Sequence, residues 1–274
     1  MPFQPDPLGQ VADWPVDTAA VAVVRADQVL ASHGSESPLP WASVTKLITA
    51  LTVLDAVERD LVALDEPAGP PGSTVAHLLA HASGLAPDED RVLARPGRRR
   101  IYSNRGFEVL ANLVTERAGT HFPEVLQDRV CRPLGMTATR LEGSPAHGAV
   151  GPLSDLATLG RELLAPTLLP TDVMYGATTP AFAGLSGILP GFGRQDPNDW
   201  GLGFEIRDDK HPHWTGSRNS PETFGHFGQA GGFLWVDPTA GLACACLTDR
   251  PFGDWAARVW PPLSDGVVAA YTTA

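Results

Sequence analysis

The stretch that decides the fold is PWASVTKLITALTVLDAVE, residues 40–58. Its apolar residues recur at the spacing of an amphipathic helix, and they are Leu47, Ile48, Leu51, Leu54 and Val57. Ser43 and Lys46 stand three residues apart in the first turn of this predicted helix, so their side chains share one face. A capping serine beside a lysine that reaches solvent would give the same pattern. The tetrapeptide alone therefore allows two interpretations. Ser43 and Lys46 are either a helix cap beside a surface lysine, or a nucleophile beside the group that activates it.

The composition describes a globular chain and argues against two kinds of partner. The 274 residues suffice for a large core in one or two domains. The contents of 43% hydrophobic and 19% charged residues are typical of soluble proteins. The formal net charge of −11, with no long basic segment, predicts that nucleic acid is not a partner. No stretch approaches the roughly 20 apolar residues of a membrane span, so we expect no membrane insertion.

The N-terminus and the cysteines indicate a cytoplasmic protein. Residues 1–15, MPFQPDPLGQVADWP, have neither a basic start nor an apolar run of about 7–15 residues, so they do not resemble a signal peptide. The odd number of cysteines (Cys131, Cys244 and Cys246) favours reduced core residues over disulfides or a metal site. Cys244 and Cys246 alternate within GLACACLTD, which predicts that they share one face of a strand.

Predicted strands stand at both ends of the chain, with predicted helices between them. The segments with strand character are residues 19–32, 200–207, 225–238 and 241–249. The segments with helical character are residues 73–85, 104–120, 122–136, 152–166 and, interrupted by Pro261 and Pro262, 255–271. The simplest arrangement is a sheet subdomain formed by residues 1–60 and 192–274, with a mostly helical subdomain of residues 61–191 inserted between its halves.

Two further polar motifs follow the first along the chain. Tyr102, Ser103 and Asn104 come at the start of a predicted helix, where Asn104 alone would be interpreted as a helix cap. His226 begins a glycine-rich strand in GHFGQAGGFLWVDP, where a single histidine is more often structural than catalytic. Each motif is weak by itself. Together, S-x-x-K, then Y-x-N, then H-x-G on a late strand form an ordered set.

This ordered set resembles the serine β-lactamase and penicillin-binding-protein superfamily. The similarity is to the branch that carries a tyrosine in its second motif and includes class C β-lactamases, D-aminopeptidase-like enzymes and esterases. Further segments that resemble the family are HLLAHASGL, RPGRRRIYSN, RPLGMTAT and WGLGFEI, so the resemblance covers nearly the whole chain. It implies a mixed α/β (α+β) fold of the β-lactamase/transpeptidase type. In that fold an antiparallel sheet is flanked by helices, and a mostly helical insertion separates its N- and C-terminal strands.

The resemblance implies a serine hydrolase. Ser43 would be the nucleophile and Lys46 its activator, because a serine hydroxyl attacks a carbonyl only after a neighbour removes or polarises its proton. Tyr102 would contact both the serine and the leaving group and would transfer a proton between them. The sequence leaves open whether Lys46 or Tyr102 is the first base. Two-step acyl transfer of this kind requires no metal and no organic cofactor.

The remaining motif residues would bind the substrate. Asn104 would hold the activating lysine and a substrate carbonyl through the two sides of its amide. Gln229 directly follows the H-x-G motif formed by His226 and Gly228. The backbone N–H groups of Gln229 and of the nucleophile would form the oxyanion hole.

His226 stands where many members of the superfamily carry the lysine of K-T-G. A histidine lacks the permanent positive charge that attracts the carboxylate of a β-lactam or of a peptide C-terminus. We therefore expect small-molecule esters or small amides as substrates, rather than efficient β-lactam hydrolysis. A β-lactamase or D-amino-acid peptidase, and a catalytically silent ligand-binding protein, stay open as alternatives. The sequence does not fix the oligomeric state.

Two other clusters have simpler interpretations. His77 and His81 stand four residues apart, as zinc ligands can, but the glutamate of an H-E-x-x-H motif is absent and we predict no metal site. Five arginines surround the tyrosine motif, and they are Arg95, Arg98, Arg99, Arg100 and Arg105. We interpret them as a solvated surface paired with the acidic run PDEDR at residues 87–91. The alternative is a patch that steers anionic substrates.

Overall fold

Strands from both ends of the chain meet in one sheet in the computed structural model, which describes residues 6–272. The residues outside this range are 1–5 and 273–274. The first of these ranges is part of the N-terminal segment, residues 1–15, that does not resemble a signal peptide. The strands are β1 (Ala19–Val24), β2 (Val29–His33), β3 (Leu39–Pro40), β4 (Arg140–Leu141), β5 (Ala149–Gly151), β6 (Gly187–Leu189), β7 (Gly193–Gln195), β8 (Glu205–Ile206), β9 (Phe224–Gly228), β10 (Gly232–Asp237) and β11 (Leu242–Thr248). The α-helices are α1 (Thr45–Glu58), α2 (Val75–Leu79), α3 (Asn104–Ala118), α4 (Phe122–Leu126), α5 (Leu153–Leu164), α6 (Thr171–Ala177) and α7 (Asp254–Tyr271).

The central sheet has six strands in the order β2-β1-β11-β10-β9-β8, and every neighbouring pair is antiparallel. Its first two strands come from the N-terminal part of the chain and the other four from the C-terminal part, which confirms the predicted fold class. The sequence did not predict α6 or the two small sheets, β3-β5-β4 and β6-β7. The subdomain boundaries (1–60 with 192–274, and 61–191) stay a prediction.

The two faces of the central sheet carry different side chains. On β1, Ala22 belongs to the core cluster that includes α1 and α5, whereas Val23 belongs to the cluster that includes α7. Small residues on the first face let α5 approach closely, since a Cβ on its Gly160 would lie 3.2 Å from the Cβ of Ala243. The second face holds the two cysteines of β11, Cys244 and Cys246, which share it as predicted. Both, like Cys131, are buried free thiols.

Two helices near the motifs begin or end differently from the prediction. Ser43 lies in a short 3₁₀ turn, Ala42–Val44, and α1 begins only after it, at Thr45. The predicted helix over residues 73–85 forms only as α2. It ends there because His81 has a φ of +54°, a left-handed conformation that a right-handed helix does not accommodate.

A serine cap and a glycine set the ends of α3, and α7 tolerates two prolines. Ser103, rather than Asn104, caps α3, because its Oγ accepts an N–H of the first turn at 3.0 Å. The helix ends at Gly119, which adopts the left-handed conformation. α7 continues through Pro261 and Pro262, since burial of its apolar face offsets the ~3 kcal/mol that a proline costs inside a helix. Within the described part of the chain, no helix has the length and apolar content to span a membrane.

Candidate active site

Ser43 stands at the bend between β3 and α1. The preceding Trp41 is fully buried, and its indole Nε1 donates to the carbonyl oxygen of Gly151 at 3.2 Å. Ala42 has a φ of +44°, a left-handed conformation that is uncommon for a residue with a side chain. Strained residues of this kind concentrate at functional sites. The bend places Ser43 on the wall of a cavity, one turn before Lys46.

The Lys46 side chain is completely buried and held by three oxygen atoms. Its Nζ lies 2.7 Å from Asn104 Oδ1, 2.8 Å from the carbonyl oxygen of Ala146 and 3.4 Å from Ser43 Oγ. Burial lowers the pKa of Lys46 well below its ordinary value, and the carboxylates of Asp88 and Glu108 oppose this only in part. The buried position therefore favours a neutral amine.

The hydrogen bonds of the neutral amine determine where its lone pair points. A neutral lysine amine has two N–H donors and one lone pair. Asn104 Oδ1 and the carbonyl oxygen of Ala146, the two nearest acceptors, take both donors. The remaining lone pair then faces the Ser43 hydroxyl at 3.4 Å. This is the arrangement that a base needs to take a proton from serine.

Tyr102 and His226 form a second hydrogen-bonded pair beside Ser43. The His226 Nδ1 lies 2.6 Å from the carbonyl oxygen of Phe227, to which only a protonated nitrogen can donate. In the neutral ring, Nε2 is then an acceptor, so the Tyr102 hydroxyl donates to it at 3.3 Å. Burial and the nearby Lys46 lower the pKa of His226 to about 3, and burial raises the pKa of Tyr102. Both groups are therefore neutral around pH 7.

Gly228 brings the end of β9 against the serine turn. A Cβ at this position would lie 2.4 Å from the carbonyl oxygen of Trp41 and 3.2 Å from the backbone nitrogen of Ser43. Only a residue without a side chain permits this approach. Ser43 and Gln229, the residue that follows Gly228, both line the cavity. An oxyanion hole requires two such backbone N–H groups beside the reacting carbonyl.

We expect Gly228→Ala to lower kcat by roughly 10²-fold, because the new Cβ forces β9 away from Ser43 and separates the two N–H donors. The matched control is Gly176→Ala on α6, where a Cβ meets nothing within 4 Å. Steady-state kinetics of both variants with one ester substrate would check this. Equal kcat values for Gly228→Ala and the control would show that the close approach is not needed.

The cavity beside Ser43 is small. It measures about 40 Å³, far below the roughly 300–1,000 Å³ of pockets for drug-sized ligands. The residues that line it are Ser43, Tyr102, Leu189, Pro190, Trp200, Glu205, His226, Phe227 and Gln229. Sequence analysis assigned no site role to Trp200 or Glu205, although both lie in the family-like segment around WGLGFEI. That segment was the signal that could have identified them.

Asn104 is held from two sides, and one of them was not predicted. Its Oδ1 faces Lys46, as expected, but its Nδ2 donates to Asp88 Oδ1 at 2.8 Å. The structure thus brings all seven predicted site residues to one region, and adds Asp88 from the exposed run PDEDR. No sequence signal distinguishes Asp88 from its acidic neighbours.

The two histidines with zinc-like spacing do not share a helix face. His77 lies on α2, whereas His81 follows its end. The His81 Nδ1 accepts the backbone N–H of Ser103 at 3.1 Å, and its ring packs against Tyr102 at a centroid distance of 4.6 Å. His81 therefore supports the tyrosine motif. Among residues 6–272, no group of three or more metal-ligating side chains comes together.

The arginine cluster divides into exposed and buried members. Arg105 pairs with Asp90 at 2.6 Å, in keeping with the predicted pairing to the acidic run. Arg100 is only 3% exposed, so its assignment to a solvated surface was wrong. Its guanidinium donates to four carbonyl oxygens and lies 3.6 Å from the Asp199 carboxylate. Arg100 thereby connects the segment before Tyr102 to the part of the cavity wall that contains Trp200.

Known proteins resemble this chain in structure or in part of their sequence. A crystal structure described as a beta-lactamase from Mycobacterium bovis has 54% sequence identity and a TM-score of 0.96, over 98% of this chain and 100% of that one. A D-aminopeptidase from Gluconobacter oxydans (strain 621H) is 30% identical over 174 residues, 46% of this chain and 32% of the relative. The D-alanyl-D-alanine-carboxypeptidase/endopeptidase AmpH from Escherichia coli (strain K12) is 25% identical over 147 residues, 40% of this chain and 38% of the relative. The matches thus span well under half of these two relatives.

A family profile covers far more of the chain than these two pairwise matches do. The profile described as beta-lactamase matches residues 12–266, which include all three motifs and every strand of the central sheet. The protein therefore belongs to the beta-lactamase family, within the serine β-lactamase and penicillin-binding-protein superfamily that its motifs resemble.

Proposed function

We propose that this protein is a serine hydrolase that cleaves small esters or amides through an acyl-enzyme on Ser43. The observation that carries the proposal is the buried Lys46 amine, whose lone pair faces the serine hydroxyl while Asn104 holds one of its N–H groups. A cleft that only binds ligands has no need of a lysine buried beside a serine, because burying the amine costs free energy.

Acylation begins with Lys46 as the base. Burial lowers the pKa of Lys46 and raises that of Tyr102, so it favours the neutral amine of Lys46 and disfavours the tyrosinate. Lys46 takes the hydroxyl proton as Ser43 Oγ bonds to the substrate carbonyl carbon. The negative oxygen of the tetrahedral intermediate accepts the N–H groups of Ser43 and Gln229.

The leaving group departs with a proton, and water completes the cycle. Tyr102 donates its proton to the leaving oxygen or nitrogen as that bond breaks, and the Lys46 ammonium replaces it. Neutral His226 holds the Tyr102 hydroxyl in position. In the second half, Lys46 takes a proton from water, which attacks the acyl carbonyl. The bond between the acyl carbon and Ser43 Oγ then breaks, and the Lys46 ammonium gives its proton to the serine oxygen, which restores both groups.

The charges of the site favour neutral substrates. His226 is neutral around pH 7 and burial favours the neutral form of Lys46, so neither supplies a permanent cation for a substrate carboxylate, and the cavity accommodates only a small group. The Mycobacterium bovis neighbour, described as a beta-lactamase, and the D-aminopeptidase relative support a second candidate. In this alternative, the same acyl transfer acts on β-lactams or D-amino-acid amides.

A substrate panel and a covalent probe test the proposal. The purified protein is assayed with p-nitrophenyl butyrate, a chromogenic cephalosporin and D-alanine p-nitroanilide, and is labelled with a fluorophosphonate whose site is mapped by peptide mass spectrometry. We expect the highest kcat/KM for the ester and labelling of Ser43. Faster turnover of the cephalosporin or the anilide would favour the second candidate. Absence of both turnover and labelling would favour the silent binding protein.

We also propose a cytoplasmic location. The three cysteines are free and buried, which is compatible with a reducing compartment. Fractionation of cells that express the natural gene would check it, and recovery outside the cytoplasm would contradict it.

A further inference from the structure

We infer that Asp88 is a positioning residue for Lys46. In this proposal its carboxylate fixes the orientation of the Asn104 amide, and its negative charge favours the protonated form of the lysine. The inference rests on the proposed function, in which Lys46 is the base. It assigns a catalytic consequence to an exposed loop residue that belongs to none of the three motifs.

A continuous chain of hydrogen bonds connects Asp88 to the serine. Asp88 Oδ1 accepts from Asn104 Nδ2 at 2.8 Å, Asn104 Oδ1 accepts from Lys46 Nζ at 2.7 Å, and Nζ lies 3.4 Å from Ser43 Oγ. If the amide were reversed, its oxygen would face the carboxylate and its NH₂ group would face the amine donors. Asp88 therefore selects the orientation in which Asn104 accepts from Lys46.

The loop that carries Asp88 is attached to the start of α3. Ser103 Oγ donates to the carbonyl oxygen of Ala86 at 2.7 Å, and the backbone N–H of Arg105 donates to that of Pro87 at 2.9 Å. The two acceptors, Ala86 and Pro87, directly precede Asp88, and the two donors, Ser103 and Arg105, are the sequence neighbours of Asn104. The carboxylate is consequently held beside the amide, although it is exposed.

Asp88 differs from its acidic neighbours in having no counter-ion. Glu89 pairs with Arg91 at 3.2 Å and Asp90 with Arg105 at 2.6 Å, whereas Asp88 forms no ion pair within residues 6–272. Its charge therefore acts on the site without compensation by an adjacent cation.

Several titratable groups surround Lys46, and they act in different directions. They are Asp88 on the loop, Glu108 and Tyr102 at and before α3, His81 after α2 and His226 on β9. The two carboxylates raise the pKa of Lys46 against the larger lowering by burial. Removing the Asp88 charge should therefore lower this pKa further, so that the neutral amine persists to lower pH.

Lysine-selective NMR measures this effect without relying on catalysis. Lys46 and Lys210 are the only lysines of the chain, so protein labelled with ε-¹³C-lysine gives two side-chain signals, which a Lys46→Met variant assigns. We expect Asp88→Asn to lower the pKa of Lys46 by about half a unit, a modest shift because the carboxylate is exposed to solvent. The Lys210 signal serves as an internal control. Glu89→Gln, which removes the same charge from the next residue, should leave both signals unchanged.

Kinetics separate the hydrogen bond of Asp88 from its charge. In Asp88→Ala the Asn104 amide is free to turn, and we expect kcat to fall about tenfold with little change in KM. Asp88→Asn keeps an acceptor for Asn104 and should recover most of kcat, with the acid limb of its kcat/KM profile moved to lower pH. Unchanged kcat in Asp88→Ala, or identical Lys46 titrations in wild type and Asp88→Asn, would overturn the inference. If the wild type hydrolyses nothing, the proposed function fails, but the NMR comparison still decides the role of Asp88.

Discussion

Replacing Ser43 with alanine is expected to reduce hydrolysis by about 10⁴-fold or more while the protein stays folded. Without Oγ, no acyl-enzyme can form. Removing a nucleophile lowers kcat about as much as removing all the catalytic residues together. The loss should appear in kcat, because the cavity wall and the N–H groups that bind the carbonyl remain in place. Ser43 lies in a short turn before α1 and does not cap the helix, so the substitution removes little structural support.

The measurement compares wild type, Ser43→Ala and a matched control on p-nitrophenyl butyrate, with thermal unfolding as the test of folding. Ser154→Ala is the control because Ser154 is an exposed serine at the start of another helix, α5. The fluorophosphonate should label wild type and the control but not Ser43→Ala. Hydrolysis by Ser43→Ala at the wild-type rate would show that another group, or a contaminating esterase, performs the reaction.

The candidate site was largely accessible to sequence analysis because each motif is local. Ser43 and Lys46 are joined by a short 3₁₀ turn that leads directly into α1, and Tyr102 and Asn104 by the start of α3. Spacing within a turn or strand fixes how such residues face one another, whatever the rest of the fold does. The order of the motifs along the chain then supplied the resemblance, and the structure brings them together.

Residues that act through tertiary contacts were not predictable. Asp88 and Asn104 are 16 residues apart and meet only because the loop folds back on α3. Nothing in the letters PDEDR separates Asp88 from Glu89 or Asp90, since only the structure shows which carboxylates have arginine partners. Arg100 was misplaced for the same reason, because its partners are carbonyl groups from distant segments of the chain.

The predicted helix boundaries were wrong where tertiary structure overrides the local preference of the sequence. The periodicity through residues 73–85 continues past Leu79, but the chain turns at His81 so that its ring supports Tyr102. Conversely, two prolines that should interrupt α7 do not, because one face of that helix is buried on the central sheet. In both cases tertiary packing stabilises the observed backbone by more than the local sequence propensity destabilises it.

A buried ion pair forms another part of the cavity wall that sequence analysis missed. Glu205, only 1% exposed, pairs with Lys210 and accepts from Trp214 Nε1 at 3.0 Å, while His213 Nε2 lies 3.0 Å from the same carboxylate oxygen. Lys210 also donates to the carbonyl oxygen of Asp199 at 2.7 Å. Burial alone would raise the pKa of Glu205, but Lys210 and His213 outweigh it and lower the pKa to about 2.

Glu205→Gln is expected to destabilise the fold by about 3–5 kcal/mol, because it leaves the Lys210 charge buried without a counter-ion. For a chain of this size the melting temperature should fall by roughly 10 °C. Glu205→Gln combined with Lys210→Met removes the unpaired charge as well and should recover much of the loss. An unchanged melting temperature in Glu205→Gln, or a double variant less stable than the single one, would contradict this account of the pair.

The same pair predicts how stability responds to acid. The folded pKa of Glu205, about 2, lies below its ordinary value of 4.5, so the unfolded chain binds the proton more readily than the folded one. The stabilisation from this group is therefore fully present above about pH 4.5 and is lost as the pH falls toward 2. Thermal unfolding across that range should show a steeper decline for wild type than for Glu205→Gln, whose amide does not titrate. Parallel profiles would mean that other carboxylates, and not the one on the cavity wall, determine the acid sensitivity of this protein.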